Sequence, residues 1–286
     1  MCNTPPVRVW VCGVRGSTPT PGPQVARYGG HTSCVALYHH DEAVPTLILD
    51  AGTGLREVTG LLAGRPFAGT ILLSHLHWDH VHGLPFFRGG DCDGACTTLL
   101  LPEQEDGACA EAVLERGMSP PHFPIRPRDL RGTWTFGSLA PGCHVAAGFT
   151  VQAREVPHKG GRTFGYRISD GRSVMAYIPD HCPTNIGPGP DGWGAYHAAA
   201  LELADGADVL VHDASLLPEE LAAQASFGHA AADYVVGLAA AAGARRAVLF
   251  HHGPGRTDDE LDALGRRLAD APVPVTVAAQ GGRLSL

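Results

Sequence analysis

No apolar run in the 286-residue chain approaches the roughly 20 residues that a membrane helix needs, so no membrane association is expected. Basic residues are the minority, 21 against 29 acidic for a formal net charge of −8. A protein that grips a long polyanion through its phosphates usually carries a basic face, so a small-molecule substrate is expected in place of long nucleic acid. The start, MCNTPPVRVW, lacks a basic segment followed by an apolar one, so no secretory signal is read. In a chain of this size the eight cysteines then read as reduced thiols of a cytoplasmic protein, not as a disulfide framework. Cys92 and Cys96, in GGDCDGAC, match no strong zinc spacing and leave a small metal or redox clip as a minor alternative. Charged residues are few, at 17%, and apolar residues make up 44%, which excludes a disordered chain. There is no convincing linker and no short repeat, because the 37 glycines and 23 prolines are spread between apolar runs. One domain over residues 1–286 is expected. Oligomeric state stays open, with a homodimer the commonest form among soluble oligomers.

What the chain does have is a succession of short apolar runs bounded by Gly, Pro or Asp. VRVWVCGV (7–14), TSCVALY (32–38), TLILDAG (46–52) and TILLSH (70–75) read as buried strands. So do TTLLLP (97–102), FTVQAREV (149–156), TFGYRIS (163–169), SVMAYIPD (173–180), ADVLVHDAS (207–215), RAVLFHH (246–252) and VPVTVAA (273–279). Helical composition falls at 105–117, 195–207 and 229–244. A fourth helix over 257–271 opens with a capping box, Thr257 with Glu260. Strands with hairpins and then helices, repeated in two halves, predict two sheets with helices on their outer faces: an α/β fold of four layers. The least regular piece, 103–148, containing SPPHFPIRPRDLRG, reads as an insertion over one edge.

The densest chemistry lies in TILLSHLHWDHVHGLPFF, residues 70–87, where His75, His77, Asp79 and His80 place four metal-ligand types in six positions. Two nearby histidines are often plain surface residues, but His-x-His-x-Asp-His at a strand-to-turn junction is far more specific. If the strand runs into the motif, alternation sends His75 and His77 to one side, with Asp79 and His80 in the turn that follows. Imidazole suits zinc, iron or manganese, and a carboxylate widens the choice toward harder ions.

The order of further motifs carries a resemblance. GVRGSTPTPGPQVARYGGHTSC, LILDAGTGL, the metal motif, VPHKGGRTFGYRI, YIPD, LVHDAS, FGH and VLFHHGPGRTDDEL follow one another as in the metallo-β-lactamase superfamily. The chain is most similar to its phosphodiesterase branch, with ribonuclease Z and the phosphoribosyl cyclic phosphodiesterases. The resemblance implies a four-layer αββα sandwich and two divalent metal ions, Zn2+ foremost with Mn2+ or Fe2+ open. It implies His75, His77 and His158 at the first metal, and Asp79, His80 and a histidine of LFHH at the second. His251 is favoured for that last place and His252 stays open. Asp180 would bridge the metals, and Asp50 would support the ligand loop by hydrogen bonding. His31, in GGHTSC, precedes the first cluster, whereas the Gly-His-Thr ligand of thioester-hydrolysing relatives follows it, so His31 reads as a loop residue near the pocket. The histidines at 39, 40, 82, 122, 144, 181 and 197 default to surface or satisfied-core roles.

In that branch a late histidine positioned by an acid protonates the leaving oxygen. Here the resemblance carries that role to His229, in SFGHAAAD, and Asp213, in LVHDAS, although the family's acid is often glutamate. Asp79, His229 and Asp213 are the expected catalytic set. Lys159 and Arg162, and the cluster Arg126, Arg128 and Arg131, are candidate phosphate contacts. The expected activity is hydrolysis of a small or cyclic phosphodiester by a hydroxide activated between two metals. The alternatives are a lactone, ester, thioester or β-lactam hydrolase, a metal-dependent oxidoreductase of a biosynthetic pathway, or a non-catalytic binding protein on the same fold.

Overall fold

The computed structural model describes residues 7–39 and 42–286. Cys2, His40 and most of the segment read for a signal lie outside the described residues. Among those described, fourteen strands form two seven-stranded sheets. The first sheet holds β1 (Arg8–Gly13), β2 (Cys34–Tyr38), β3 (Leu47–Leu49), β4 (Ala68–Leu72), β5 (Cys96–Pro102), β6 (Thr133–Leu139) and β14 (Arg283–Ser285), in the order β14-β1-β2-β3-β4-β5-β6. The second holds β7 (Gly142–Ala146), β8 (Phe149–Glu155), β9 (Phe164–Ser169), β10 (Val174–Ile178), β11 (Val209–Asp213), β12 (Ala247–Phe250) and β13 (Val275–Val277), in the order β13-β12-β11-β10-β9-β8-β7.

Period-two alternation explains why the strands read as continuous apolar runs. Val9, Val35, Leu37, Leu47, Leu49 and Leu72 of the first sheet pack against Val151, Tyr166, Met175, Val209, Val211 and Phe250 of the second. The intervening residues of the first sheet, Cys34, Ala36, Ile48 and Ile71, face α1 (Leu55–Leu61) and α3 (Ala110–Glu115). Those of the second, Ala176, Ile178, Leu210 and Leu249, face α4 (Ala198–Ala204), α6 (Ala232–Ala241) and α7 (Asp258–Arg267). A strand covered on both faces has no polar side to show. The architecture is the four-layer αββα sandwich that the alternating elements predict. No helix among the described residues is long and apolar enough to cross a membrane.

The 103–148 segment departs from its expected form. It is irregular around α3 as far as residue 132, but β6 and β7 are regular edge strands, one on each sheet. Edge strands bury little, as the exposed Cys143 and Val145 of β7 illustrate, so their apolar signal is weak. The same holds for β14, which the apolar pattern also misses. The capping box is present: Thr257 Oγ1 accepts from Glu260 N at 3.3 Å, and Glu260 Oε2 accepts from Thr257 N at 2.7 Å.

Candidate metal centre and proton-donating pair

The parallel strands β3, β4, β10, β11 and β12 deliver their C-terminal ends to one rim of the sandwich. Asp50 follows β3, His75 follows β4, Asp180 follows β10, Asp213 ends β11 and His251 follows β12. Strand ends in open α/β sheets leave a crevice for ligands, and here both sheets contribute to it. The strand before the motif ends at Leu72, so His75 and His77 sit in a loop, not on the strand that alternation assumed. They still converge, with ring centroids 4.4 Å apart. Asp79 and His80 are carried by α2 (Trp78–Val81), a single helical turn.

Two ligand groups match the expected sets: His75, His77, His158 and Asp180 form one, and Asp79, His80 and His251 form the other; Asp180, His229 and His251 also lie close enough to form a third. Tetrahedral zinc–nitrogen bonds of about 2.0–2.1 Å put neighbouring donor atoms about 3.3 Å apart. His77 Nδ1 lies 3.3 Å from His158 Nε2, and His80 Nε2 lies 3.3 Å from both His251 Nε2 and Asp79 Oδ2. Asp180 lies between the groups: Oδ2 is 3.3 Å from His158 Nε2 and 3.8 Å from His75 Nε2. Its Oδ1 is 3.0 Å from His80 Nε2 and 3.1 Å from His251 Nε2. Buried His75 Nε2 and Asp180 Oδ1 have no hydrogen-bond partner. This donor set suits divalent metal ions.

His251 is the histidine brought to the site. Its φ of 59° breaks the strand at Phe250 and swings the ring across to Asp79. His252, left open for that place, is buried away from the cluster, with Nε2–H donating to Ala278 O at 2.8 Å. Burial and nearby cations push its pKa down to about 3, so it stays neutral. Two glycines make room for the ligands. A Cβ on Gly16 would lie 2.4 Å from His251 Nδ1, and one on Gly160, whose φ is +81°, would lie 2.7 Å from His77 Nε2.

Buried hydrogen bonds aim the rings. Asp50 Oδ2 accepts from His80 Nδ1–H at 2.7 Å, from Tyr177 OH at 2.7 Å and from Ser33 Oγ at 3.0 Å. Its Oδ1 accepts from Ser74 N at 2.7 Å. His158 Nδ1–H donates to Gly228 O at 2.8 Å. Each bond holds the proton on Nδ1 and leaves Nε2 bare for ligation. Burial, with neighbouring imidazoles, pushes His75 and His77 below the usual histidine range. Burial opposes ionisation of Asp79 and Asp180, yet the surrounding histidines outweigh it and hold both below the usual carboxylate range.

Beside this cluster, His229 Nδ1 lies 3.0 Å from Asp213 Oδ2 and 3.8 Å from Asp180 Oδ2. Asp213 is locked by backbone donors: His181 N at 3.1 Å and Ala230 N at 3.3 Å to Oδ2, and Ser215 N at 3.0 Å to Oδ1. Burial disfavours the imidazolium, but Asp213, then Asp180 and Asp79, outweigh it and raise His229 to about 9. His229 precedes α6, and its ring packs against those of His158 and His251, with centroids 5.5 and 5.0 Å away.

The β-lactamase superfamily domain matches residues 46–252, more than half of the chain. The chain belongs to the β-lactamase superfamily. Ribonuclease Z of Salinibacter ruber is 26% identical over 272 residues, covering 77% of this chain and 79% of its own. Among solved structures, the metallo-β-lactamase fold protein YhfI from Bacillus subtilis superposes with a TM-score of 0.71 at 18% identity, covering 99% of this chain and 100% of its own. The short form of human tRNase Z gives 0.63 at 18% identity, covering 97% and 98%. Within this superfamily the chain is a metal-dependent hydrolase.

The other residues expected to contact phosphate make protein contacts of their own. Arg162 is engaged by Glu103 at 3.0 Å and Glu155 at 2.8 Å, and Lys159 Nζ donates to Ser226 O. Arg128 pairs with Glu115, Arg126 N donates to Asp129 at 2.8 Å, and Arg131 Nη2 donates to Asp91 O at 2.6 Å. His31 lies at the pocket, 3.1 Å from Thr53 Oγ1, and outside both ligand groups. Cys92 Sγ donates to Gly89 O, and the seven described cysteines are free and outside the ligand groups. Sequence reasoning missed Ser33, Ser74 and Tyr177 around Asp50; the only trace was hydroxyls in or beside apolar strands. His181, left to a surface or core role, is buried, its Nδ1 3.0 Å from His212 Nε2 and its backbone N–H donating to Asp213.

Proposed function

We propose that the chain is a phosphodiesterase acting on a small or cyclic phosphodiester, with two divalent metal ions, Zn2+ foremost, in the paired ligand groups. His75, His77 and His158 would hold one ion, Asp79, His80 and His251 the other, and Asp180 would bridge them. Ions bound there would supply an activated water and a Lewis-acidic seat for a substrate oxygen. In the hydrolysis, water adds to phosphorus, the P–O ester bond breaks, and the leaving oxygen takes a proton. His229 would give that proton from Nε2, while Asp213 keeps Nδ1–H engaged and stabilises the charged ring. We take residues 1–286 as one catalytic domain in the cytoplasm.

The observation that carries this reading is the 3.0 Å pair His229–Asp213 beside Asp180. An alkoxide leaving from phosphorus needs a proton donor. The relatives named ribonuclease Z also favour phosphorus as the attacked centre. They favour RNA cleavage as a second reading, while the net charge of −8 favours a small substrate. The test is a panel of bis(p-nitrophenyl) phosphate, 2′,3′- and 3′,5′-cyclic nucleotides, a precursor tRNA, a lactone and a thioester, on protein loaded separately with zinc, manganese or iron. Phosphodiester turnover is expected. Lactone or thioester hydrolysis with no phosphodiester cleaved refutes it.

A further inference from the structure

The metal motif contains one residue that ligation leaves unused. Trp78 stands between His77 and Asp79 at the first position of α2, with 72% of its surface exposed. An indole held in water on a rigid ligand loop gains nothing from burial in the fold, so its value lies in what it meets outside. His82, one helical turn on, stacks against it with centroids 5.3 Å apart and planes 20° apart. Phe86, 62% exposed, stands edge-on to Phe123 at 5.9 Å. All four rings line one cleft of about 1850 Å³, which reaches the ligand loops at Gly160, the glycine packed on His77. Of the four arginines that line the cleft, Arg116 pairs with Asp106, Arg131 with Asp91 and Arg56 lies 3.9 Å from Glu57, whereas Arg88 makes no ion pair among the described residues. An aromatic floor beside the metal groups, with Arg88 at its margin, describes a site for a planar, anionic ligand.

We propose that the Trp78–His82 stack is a base-binding ledge that makes the enzyme select phosphodiesters bearing a nucleobase next to the scissile phosphate. The inference rests on the phosphodiesterase reading and adds a selecting residue and a substrate class to it. The indole offers one face to the base and is backed by the His82 ring. Stacking of this kind tolerates any base, because each presents a π-face. The cleft exceeds the roughly 300–1,000 Å³ of common small-ligand pockets, which leaves room beyond the first nucleoside toward Phe86 and Phe123.

Two measurements on metal-loaded protein test the ledge. Calorimetry compares binding of adenosine 5′-monophosphate with ribose 5-phosphate. Kinetics compares kcat/KM for adenosine 2′,3′-cyclic phosphate with that for methyl ribofuranoside 2′,3′-cyclic phosphate, which lacks the base. In the wild type both ratios favour the base by about tenfold or more. Trp78→Ala brings both ratios toward one, and Trp78→Phe keeps most of the preference. His82→Ala, outside the ligand set, lowers the ratios by about threefold through loss of the stacked support, which keeps the test decisive if Trp78→Ala loses metal. Trp78-dependent base binding without cleavage of either diester sustains the ledge and refutes the phosphodiesterase reading. Equal cleavage of both diesters, unchanged by the substitutions, refutes the ledge and sustains that reading. Neither binding preference nor cleavage overturns both.

Discussion

Asp50→Asn isolates what a buried carboxylate does for a ligand it never lets reach solvent. The substitution keeps size and shape but turns one oxygen into a donor. Asp50 Oδ1 accepts from Ser74 N at 2.7 Å, whereas Oδ2 accepts from His80 Nδ1, Tyr177 OH, Ser33 Oγ and Ser74 Oγ at 2.7–3.1 Å. If the amide oxygen keeps Ser74 N, the NH2 faces His80. The three hydroxyls can rotate to accept, but His80 can accept at Nδ1 only by carrying its proton on Nε2. That nitrogen is the one 3.3 Å from His251 Nε2 and Asp79 Oδ2, so a proton there removes it as a ligand. If the amide flips, Ser74 N–H is left buried against a donor, which costs about 1–3 kcal/mol. Losing a partner behind a metal-bound histidine typically lowers metal affinity about 10–100-fold, or about 1.4–2.7 kcal/mol. The two routes cost similar amounts, so neither offers an escape.

The expected outcome is therefore selective. Metal binding by the Asp79/His80/His251 group weakens about 10–100-fold, and the His75/His77/His158 group is affected less, through Ser74 Oγ alone, which lies 3.0 Å from His75 Nδ1. Competition against a chromogenic chelator, with metal per chain read by elemental analysis, resolves the two. Tyr177→Phe is the control. It removes one of the donors to Asp50 and leaves His80 aimed, so it costs about 1 kcal/mol of folding stability and little metal affinity. Two metals held by Asp50→Asn with wild-type affinity would refute the assignment of Asp50 as the group that fixes the His80 tautomer.

Removal of His229 should be felt according to the leaving group. His229→Ala is expected to lower kcat on alkyl or cyclic diesters by about 10²–10⁴, and far less on p-nitrophenyl esters, whose leaving oxygen needs no proton; metal content stays at the wild-type level. Because the His229 pKa is raised to about 9, its stabilisation is complete below about pH 6.5 and lost as pH rises through about 9. Activity therefore has an alkaline limb, at or below that pH once bound cations oppose the imidazolium, and His229→Ala lacks it. Gly16→Ala places a methyl 2.4 Å from His251 Nδ1, so it should displace the ring, lower kcat/KM about 100-fold and release metal from one group, as read by elemental analysis. Chelation should lower the thermal midpoint. Metal at 1,000 times its Kd contributes about 4 kcal/mol, and without it Asp79 and Asp180 face each other's charge across the histidines.

The parts of this protein that could be read from sequence are those where chemistry is concentrated or periodicity is intact. His75, His77, Asp79 and His80 announce a metal within six positions, and strands such as Leu47–Leu49 and Val209–Asp213 announce burial on both faces. The isolated residues His158, Asp180 and His251 had no such density. Only their order along the chain pointed to them, and the fold brings them together over sequence distances that composition cannot express. Tyr177 reaches Asp50 across 127 positions, so a hydroxyl in an apolar strand carries no sign of its partner. The edge strands β6, β7 and β14 stayed hidden because an edge buries little.

The errors of direction have one cause. Alternation assigns sides only while the chain remains a strand, and the ligands lie past that limit. β4 stops at Leu72, before His75; β12 stops at Phe250, and His251 takes a φ of 59°. Asp50, just past β3, takes a φ of 58°. Such backbone is uncommon outside glycine and is tolerated where surrounding contacts over-determine it. Asp50 is held by the hydrogen bonds of Ser33, Ser74, His80 and Tyr177, and His251 by its place against Asp79 and Asp180. The rim can gather ligands from two sheets because the chain leaves strand geometry there. The irregularity that defeats the pattern is what turns His251 rather than His252 toward the metal groups.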